Sequence, residues 1–309
     1  LGPADLVYLN GAIIPAADAA VSPFDRGFLF AHAAYEVTAV YNGKLIDFEG
    51  HVARLQRTLA GIDIPEAIDA QALESLHLDL LSRNKVTEGF VYLQVTGGAY
   101  GGRDFVGPDV LSPGLFMFCE ARELISEKAR DGVVSITVED QRWKRRDYKT
   151  TQLLSQTLAY RQAAKEGATS AILHEDGWIT EAASANLWIV TPDGTLITRN
   201  LGHQILPGVT RQSVLKQLSQ AGLKVEERAA SLEEARTAAE IFTTAATSLV
   251  LPIIRLDGTD ISNGQPGPVT RRVQALYYEA IGADLPTAAP WLKGSAASRR
   301  DIGEAYCGS

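Results

Sequence analysis

The sequence predicts an α/β chain of the α+β type, arranged as two lobes. Three observations carry this expectation. A chain of 309 residues, 46% apolar and 21% charged, holds material for more than one core. Its first third mixes hairpin signals with two runs at helical spacing. From Gly132 onward, past the charged stretch "ARELISEKARD", alternating strand patterns and turn dipeptides dominate. The expected division is a small α/β lobe over 1–121, a connector over 122–131, a large lobe over 132–285 and a tail over 286–309.

The elements follow in order. Asn10-Gly11 in "LVYLNGAII" and Asn42-Gly43 in "YEVTAVYNGKLIDF" are two-residue turns between apolar runs, which predicts two hairpins. "HVARLQRTLAGI" places Val52, Leu55, Leu59 and Ile62 on one helical face, and residues 70–84 do the same with Leu73, Leu76 and Leu80. "FVYLQVT" and "GLFMFCEA" read as strands, so two helices on a small antiparallel sheet result. In the second lobe "VVSITVE" alternates, and Asp176-Gly177 and Asp193-Gly194 turn two further hairpins. "TTQLLSQTLAYRQAAKEG" reads as a helix with Leu153, Leu154, Leu158 and Tyr160 among its apolar positions. "LPGVTRQSVLKQLSQAGL" is a loop feeding a helix that Gly222 ends, and Ser231 with Glu234 forms a capping box for the next. "EIFTTAATSLVLPI" is a strand, a small-residue loop and a strand, and "VTRRVQALYYEAI" is the closing helix. Beyond Leu285 periodic apolar positions are few, which predicts a loosely attached tail.

Charge and composition exclude several classes. Lys and Arg number 29 against 37 Asp and Glu, a formal charge of -8, which argues against a nucleic-acid or anionic-membrane surface. Cys119 and Cys307 lie far apart and have no partner at zinc or redox-pair spacing, so no metal site and a reducing, cytoplasmic setting are expected. No apolar run approaches the ~20 residues that cross a bilayer, and no signal-peptide pattern opens the chain. The sequence begins at Leu1 rather than Met, so its first residues are expected to be a remnant either of processing or of expression.

Against that acidic background, "RWKRRDYKTT" places five cationic side chains in ten residues. It is either a local basic patch or the setting of one lysine with a chemical task. Lys149 lies where a strand region gives way to a helix, a position that exposes a side chain to a cleft. Glu181 follows a hairpin strand within the small residues "EAASAN", which allow a planar ligand near the backbone. "PGVT", residues 207–210, precedes a helix whose first N–H groups favour a phosphate. "TTAATS", residues 243–248, offers hydroxyls and small side chains, and Arg54 adds a guanidinium. Taken singly, these are an ordinary surface lysine, a surface carboxylate, two common loops and a helix-surface arginine. As a set they are the groups that pyridoxal 5′-phosphate demands: an amine, a carboxylate for the ring nitrogen and anchors for the dianion.

The ordered fragments "FDRGFLF", "YEVTAVYNGKL", "HVARL", "RW…RDYK", "ITEAASAN", "LPGVTR" and "FTTAATS" resemble the fold-type IV pyridoxal-phosphate transaminases, most closely the D-amino-acid (D-alanine) transaminases. The resemblance spans residues 6–283. It implies a two-lobed fold, a small α/β lobe plus a larger β-barrel-like lobe with flanking helices, in a homodimer. It implies that Lys149 is the Schiff-base lysine and general base, that Glu181 faces the pyridine nitrogen, and that Arg54 binds phosphate with backbone N–H groups of Val209 and Thr210. Tyr35 matches a tyrosine that helps hold the substrate carboxylate, and Arg103 the arginine of that trap. Two departures stand out. The family's Arg-X-His is here Arg103-Asp104-Phe105, and a phosphate-binding threonine is replaced by Ala246, whose N–H and neighbour Thr247 remain.

The function implied is transfer of an amino group between a D-amino acid and a 2-oxo acid such as 2-oxoglutarate or pyruvate, with ping-pong kinetics. Arg142, Lys144, Arg145 and Arg146 are either neighbours that depress the pKa of Lys149 or a solvated or subunit-facing surface. An (R)-selective amine transaminase, or an enzyme with both activities, is the alternative that Phe105 supports. A branched-chain L-amino-acid transaminase and a pyridoxal-phosphate lyase rank below it. A non-catalytic binding protein is the alternative from another class.

Overall fold

The computed structural model describes residues 5–65 and 69–293. Leu1, Cys307 and the end of the expected tail lie outside them. The described residues fall into two compact units, one drawn from Leu1–Leu124 and Tyr148–Leu153, the other from Ile125–Asp147 and Leu154–Ser309.

Unit 1 opens with the hairpin β1 (Leu6–Leu9) and β2 (Ala12–Pro15). Its turn holds Asn10 and Gly11 at φ 45° and 106°, the positive dihedrals that this dipeptide tolerates. The short helix α1 (Arg26–Phe30) is capped by Asp25, whose carboxylate accepts from Gly27 N. β3 (Ala33–Tyr41) turns through Asn42-Gly43 into β4 (Lys44–Leu45). α2 (Phe48–Gly61) and α3 (Ala70–Asn84) follow, the second capped by Asp69 on Ala72 N. β5 (Gly89–Thr96) and β6 (Gly114–Ala121) complete a sheet in the order β2-β1-β6-β5-β3-β4. Val52, Leu55, Leu59, Leu73 and Leu80 bury the helix faces against Val91, Leu93 and Met117 of that sheet. Buried Cys119 belongs to the same core, which pushes its thiol pKa up to about 11.

Residues 148–153 were expected in the large lobe, yet they pair with β3 of unit 1. Tyr35 N donates to Lys149 O (3.0 Å), Ala34 bridges Thr150, and Thr151 N donates to Ala33 O (3.1 Å). Backbone pairing therefore draws these six residues out of their sequence neighbourhood.

Unit 2 begins with α4 (Glu127–Asp131), a helical turn inside the stretch read as a connector, then β7 (Val133–Glu139). α5 (Leu154–Lys165) buries Ala159 and Ala163, while Leu154, Leu158 and Tyr160, the apolar positions singled out in the sequence, are exposed. β8 (Ser170–Glu175) and β9 (Trp178–Ala182) form one hairpin, β10 (Asn186–Val190) and β11 (Leu196–Thr198) the next. α6 (Val209–Gln220), β12 (Val225–Glu227) and α7 (Leu232–Arg236) follow, and Ser231 with Glu234 makes the expected capping box. β13 (Glu240–Ala245) and β14 (Leu249–Leu256) flank the small-residue turn, and β15 (Thr259–Asp260) pairs back on β14. The main path of this curled nine-stranded sheet is β12-β11-β10-β13-β14-β7-β8-β9. β7 lies parallel to both β14 and β8, and the hairpin pairs are antiparallel. α8 (Pro268–Ala280) is capped from a distance: the Glu240 carboxylate accepts from Val269 N (2.9 Å) and Thr270 N (2.7 Å). The segment expected to be loose starts with α9 (Leu285–Ala288) and a 3₁₀ turn at Pro290–Leu292. Ala289 and Leu292 are buried there, so apolar burial fixes its beginning.

Candidate active site

Unit 1 gathers Lys149, Tyr35 and Arg54. Lys149 is held at both ends of its peptide unit: its N–H donates to Thr58 Oγ1 (3.3 Å) and its carbonyl accepts from Tyr35 N (3.0 Å). Its side chain is half-buried, with Nζ 4.2 Å from the centre of the Tyr35 ring. Tyr35 stacks on Tyr92 at 5.7 Å, and Tyr92 on Phe118 at 5.0 Å, so the ring against the amine is itself fixed. The neighbour Tyr148 lies over Gly61, where a Cβ would strike its ring.

Arg54 sits on the inner face of α2 and makes two bonds to Glu36 of β3, Nε to Oε1 at 2.8 Å and Nη2 to Oε2 at 2.7 Å. His51 adds a contact of 2.8 Å to Oε2. Burial alone would raise the pKa of Glu36, which is 3% exposed, but Arg54 and His51 outweigh it and hold the carboxyl well below the usual range. Sequence reasoning singled out neither Glu36 nor His51. The signal available was the alternation of β3, which puts Glu36 on the face of Ala34 and Val40.

The loop with Arg103 and Phe105 also belongs to unit 1. Arg103 lies over the rings of both Phe30 (5.5 Å) and Phe105 (4.7 Å), and Phe105 is 69% exposed. Buried Arg26 holds the loop, donating from Nη1 to Asp104 O and from Nη2 to Phe105 O, both at 2.8 Å.

Unit 2 contains the other predicted residues. Glu181 of β9 is 3% exposed and meets three partners. Arg142 Nη1 donates to its Oε1 at 2.5 Å, Asn186 Nδ2 to its Oε2 at 2.9 Å, and Leu206 N to both oxygens at 3.2 Å. Burial raises the pKa of this carboxyl, and the attraction of Arg142 offsets part of the effect. Asn186 also donates to Leu206 O (2.8 Å), which ties Glu181 to the loop entering α6. That loop ends at Gly208, and no side chain caps the first turn of this 12-residue helix, which starts with Val209 and Thr210. Ala246 and Thr247 lie half-buried on the turn between β13 and β14. The turn closes on Leu249, buried at φ 51°, a conformation uncommon for a residue with a large side chain.

The basic run is matched by carboxylates of its own unit. Arg142 pairs with Asp140 and Glu181, Arg145 with Asp147, and Arg146 with Asp140 and Glu175. Exposed Lys144 approaches Glu175 at 3.5 Å. Arg142 and Arg146 are thus components of a buried ion network, which leaves little of the run as a basic surface.

Residues 33–256 match the family model described as amino-transferase class IV, and this span covers most of both units. The chain belongs to the class IV aminotransferases. It is 34% identical over 277 residues to a D-alanine aminotransferase of Listeria monocytogenes, covering 89% of this chain and 96% of that protein. A D-alanine aminotransferase of Bacillus licheniformis is 34% identical over 275 residues, with the same coverage of both chains. The crystal structure of the Escherichia coli branched-chain amino acid aminotransferase superposes with a TM-score of 0.82 at 22% identity, covering 89% of this chain and 94% of that one. This likeness establishes the expected fold type IV.

Class IV aminotransferases use pyridoxal 5′-phosphate to exchange an amino group between a donor and a 2-oxo acid. The side chains of this aminotransferase fit that cofactor. The half-buried Lys149 amine suits its aldehyde, and the buried, donor-fixed Glu181 carboxylate suits its ring nitrogen. Within unit 2 a helix start without a side-chain cap is of the kind that takes a phosphate, and unit 1 separately offers the guanidinium of Arg54. Among the described residues no helix is long and apolar enough to cross a membrane.

Proposed function

We propose that this class IV aminotransferase moves an amino group between a D-amino acid such as D-alanine and a 2-oxo acid such as pyruvate or 2-oxoglutarate. The placement of Lys149 carries the reading: its backbone is fixed at both ends and its amine rests on a stacked tyrosine. The D-amino-acid preference is supported by the 34% identity to D-alanine aminotransferases over most of the chain.

In this reading Lys149 carries the cofactor and then serves as general base, moving a proton between the substrate Cα and the cofactor C4′. When bound, the cofactor supplies an electron sink for the charge left on Cα. Glu181 keeps the ring nitrogen protonated. Arg54 and the N–H groups of Val209, Thr210 and Ala246, with Thr247, hold the phosphate. Tyr35 and Arg103 receive the substrate carboxylate, and Phe105 makes that side less polar than an imidazole does. Phe105, tilted against Phe30 with ring centres 5.1 Å apart, favours a second reading, acceptance of (R)-primary amines beside D-amino acids. A homodimer in the cytoplasm belongs to the same proposal.

The test is visible absorption of the wild type and of Lys149→Ala, each supplied with pyridoxal 5′-phosphate, followed by D-alanine, L-leucine or (R)-1-phenylethylamine. The wild type shows a lysine-bound cofactor band that the variant lacks, and D-alanine bleaches it. Bleaching by the aromatic amine as well establishes the relaxed carboxylate site. Bleaching by L-leucine alone overturns the D-amino-acid assignment, and absence of any band overturns the enzyme reading.

A further inference from the structure

In unit 2 a chain of five charged side chains runs from half-exposed Glu175 inward to buried Glu181. Arg142 lies between two carboxylates. Its Nη1 donates to Glu181 Oε1 at 2.5 Å, while its Nε and Nη2 take the two oxygens of Asp140 at 3.0 and 2.8 Å. Asp140 is fixed in turn by Thr180 Oγ1 at 2.6 Å and by Arg146 at 3.4 Å, and Arg146 continues to Glu175 at 2.7 Å. The side chains of Arg142, Asp140 and Glu181 are 6%, 0% and 4% exposed. Three carboxylates and two guanidiniums alternate along this path, and exposed Lys144 approaches its outer end at Glu175.

A carboxylate buried this deeply survives as an anion only beside a cation and with its oxygens bonded. Asn186 and Leu206 N supply neutral bonds to Glu181, and Arg142 supplies the cation. Asp140 occupies the other side of the guanidinium and so sets its position. We propose that Arg142 is a positioning residue of the transamination: pinned by Asp140, it keeps Glu181 an anion in a fixed orientation for the cofactor ring nitrogen. The proposal rests on the reading of Glu181 given under Proposed function. It also gives the run "RWKRR" a task that composition conceals, since its first arginine serves a carboxylate 39 residues away.

The readout is the ¹⁵N resonance of ring-labelled pyridoxal 5′-phosphate in the holoenzyme, with the cofactor dissociation constant and the unfolding midpoint measured beside it. Glu181→Gln moves the resonance from its protonated to its neutral position. Arg142→Met does the same, because the unpaired carboxyl takes up a proton, and it weakens cofactor binding about tenfold, the effect of one lost charge-assisted bond. Arg142→Lys, which retains the cation, returns the resonance toward the protonated position. Asp140→Asn disturbs the same buried network yet leaves Arg142 to Glu181, so the protonated resonance persists although the midpoint falls. Where Arg142→Met does not fold, Arg142→Gln carries the test, since it removes the charge and keeps one donor.

A protonated resonance in Arg142→Met together with a neutral one in Glu181→Gln overturns the proposal and leaves the role of Glu181 standing. An unmoved resonance in Glu181→Gln removes the ring-carboxylate reading itself, and the role of Arg142 with it.

Discussion

Replacing Gly208 by alanine sets two opposite expectations against each other. Its backbone, at φ -66° and ψ 132°, suits any L-residue, so on conformational grounds alanine stabilises the fold by about 0.4–1 kcal/mol through the unfolded chain. The surroundings reverse the sign. A Cβ there collides with Asn186 Oδ1 and lies 3.1 Å from Asn186 Cγ and 3.3 Å from Arg211 Cβ. Asn186 is buried, and its amide can retreat only by lengthening its bonds to Glu181 Oε2 and Leu206 O, now 2.9 and 2.8 Å. Overpacking costs about 1–3 kcal/mol, and a disturbed buried bond to a carboxylate adds about 1–3 kcal/mol. Net of the backbone gain, Gly208→Ala lowers stability by about 1–6 kcal/mol. Urea unfolding of the cofactor-free protein, followed by circular dichroism, measures this as a lower midpoint at unchanged slope. Combined with Asn186→Ala, which removes the obstructing amide, the loss is smaller than the sum of the single effects. A midpoint at or above wild type, or strict additivity in the double variant, refutes the close approach of Gly208 to Asn186.

Other outcomes follow from the same geometry. Glu36→Ala strands the buried charge of Arg54 beside His51 and lowers stability by about 3–5 kcal/mol, read from the urea midpoint. The native pKa of Glu36 lies below its unfolded value of about 4.5, so its contribution is full above that pH and is lost as pH falls through the lower, folded value. The acid limb of the wild-type stability curve is therefore steeper than that of Glu36→Gln, and identical limbs exclude the pairing. Arg26→Met removes the two bonds that hold the Asp104 and Phe105 carbonyls, so proteolysis between residues 101 and 110 speeds up roughly tenfold or more; an unchanged rate places the anchor elsewhere. Phe105→His adds a donor beside Arg103, raising kcat/KM for D-alanine about tenfold relative to (R)-1-phenylethylamine; an unchanged ratio removes this position from the carboxylate site.

Much of the local structure is legible in the residues. Asn10-Gly11, Asn42-Gly43 and Asp176-Gly177 turn hairpins because they tolerate positive φ, and each is found there. The faces of α2 and α3 follow from apolar spacing, and the capping box of α7 from Ser231 and Glu234, because helices repeat every 3.6 residues. The cofactor is legible too, through the ordered fragments that resemble the family rather than through any one residue. The turns, faces and cap are short-range chemistry, carried by neighbours in the chain.

Partners of charge were a different matter. Glu36 and Arg54 are 18 residues apart, and Arg142 and Glu181 are 39 apart. Spacing holds no information about which strand will lie beside which. The basic run therefore read as a patch or as a field around Lys149, whereas β7, β8 and β9 bring Asp140, Glu175 and Glu181 to its arginines. The same reason moved residues 148–153 onto β3, where open backbone groups outweighed sequence proximity. Leu154 and Leu158 carry an apolar pattern that predicts burial, yet α5 turns Ala159 and Ala163 inward. Turns and helix faces were thus determined by the sequence alone, because each depends on a few adjacent residues, and the kind of chemistry by fragments in a fixed order along the chain. Which charge neutralises which, and what holds the lysine and the carboxylate in place, only the tertiary structure decided, because those energies arise between chain segments that folding alone brings together.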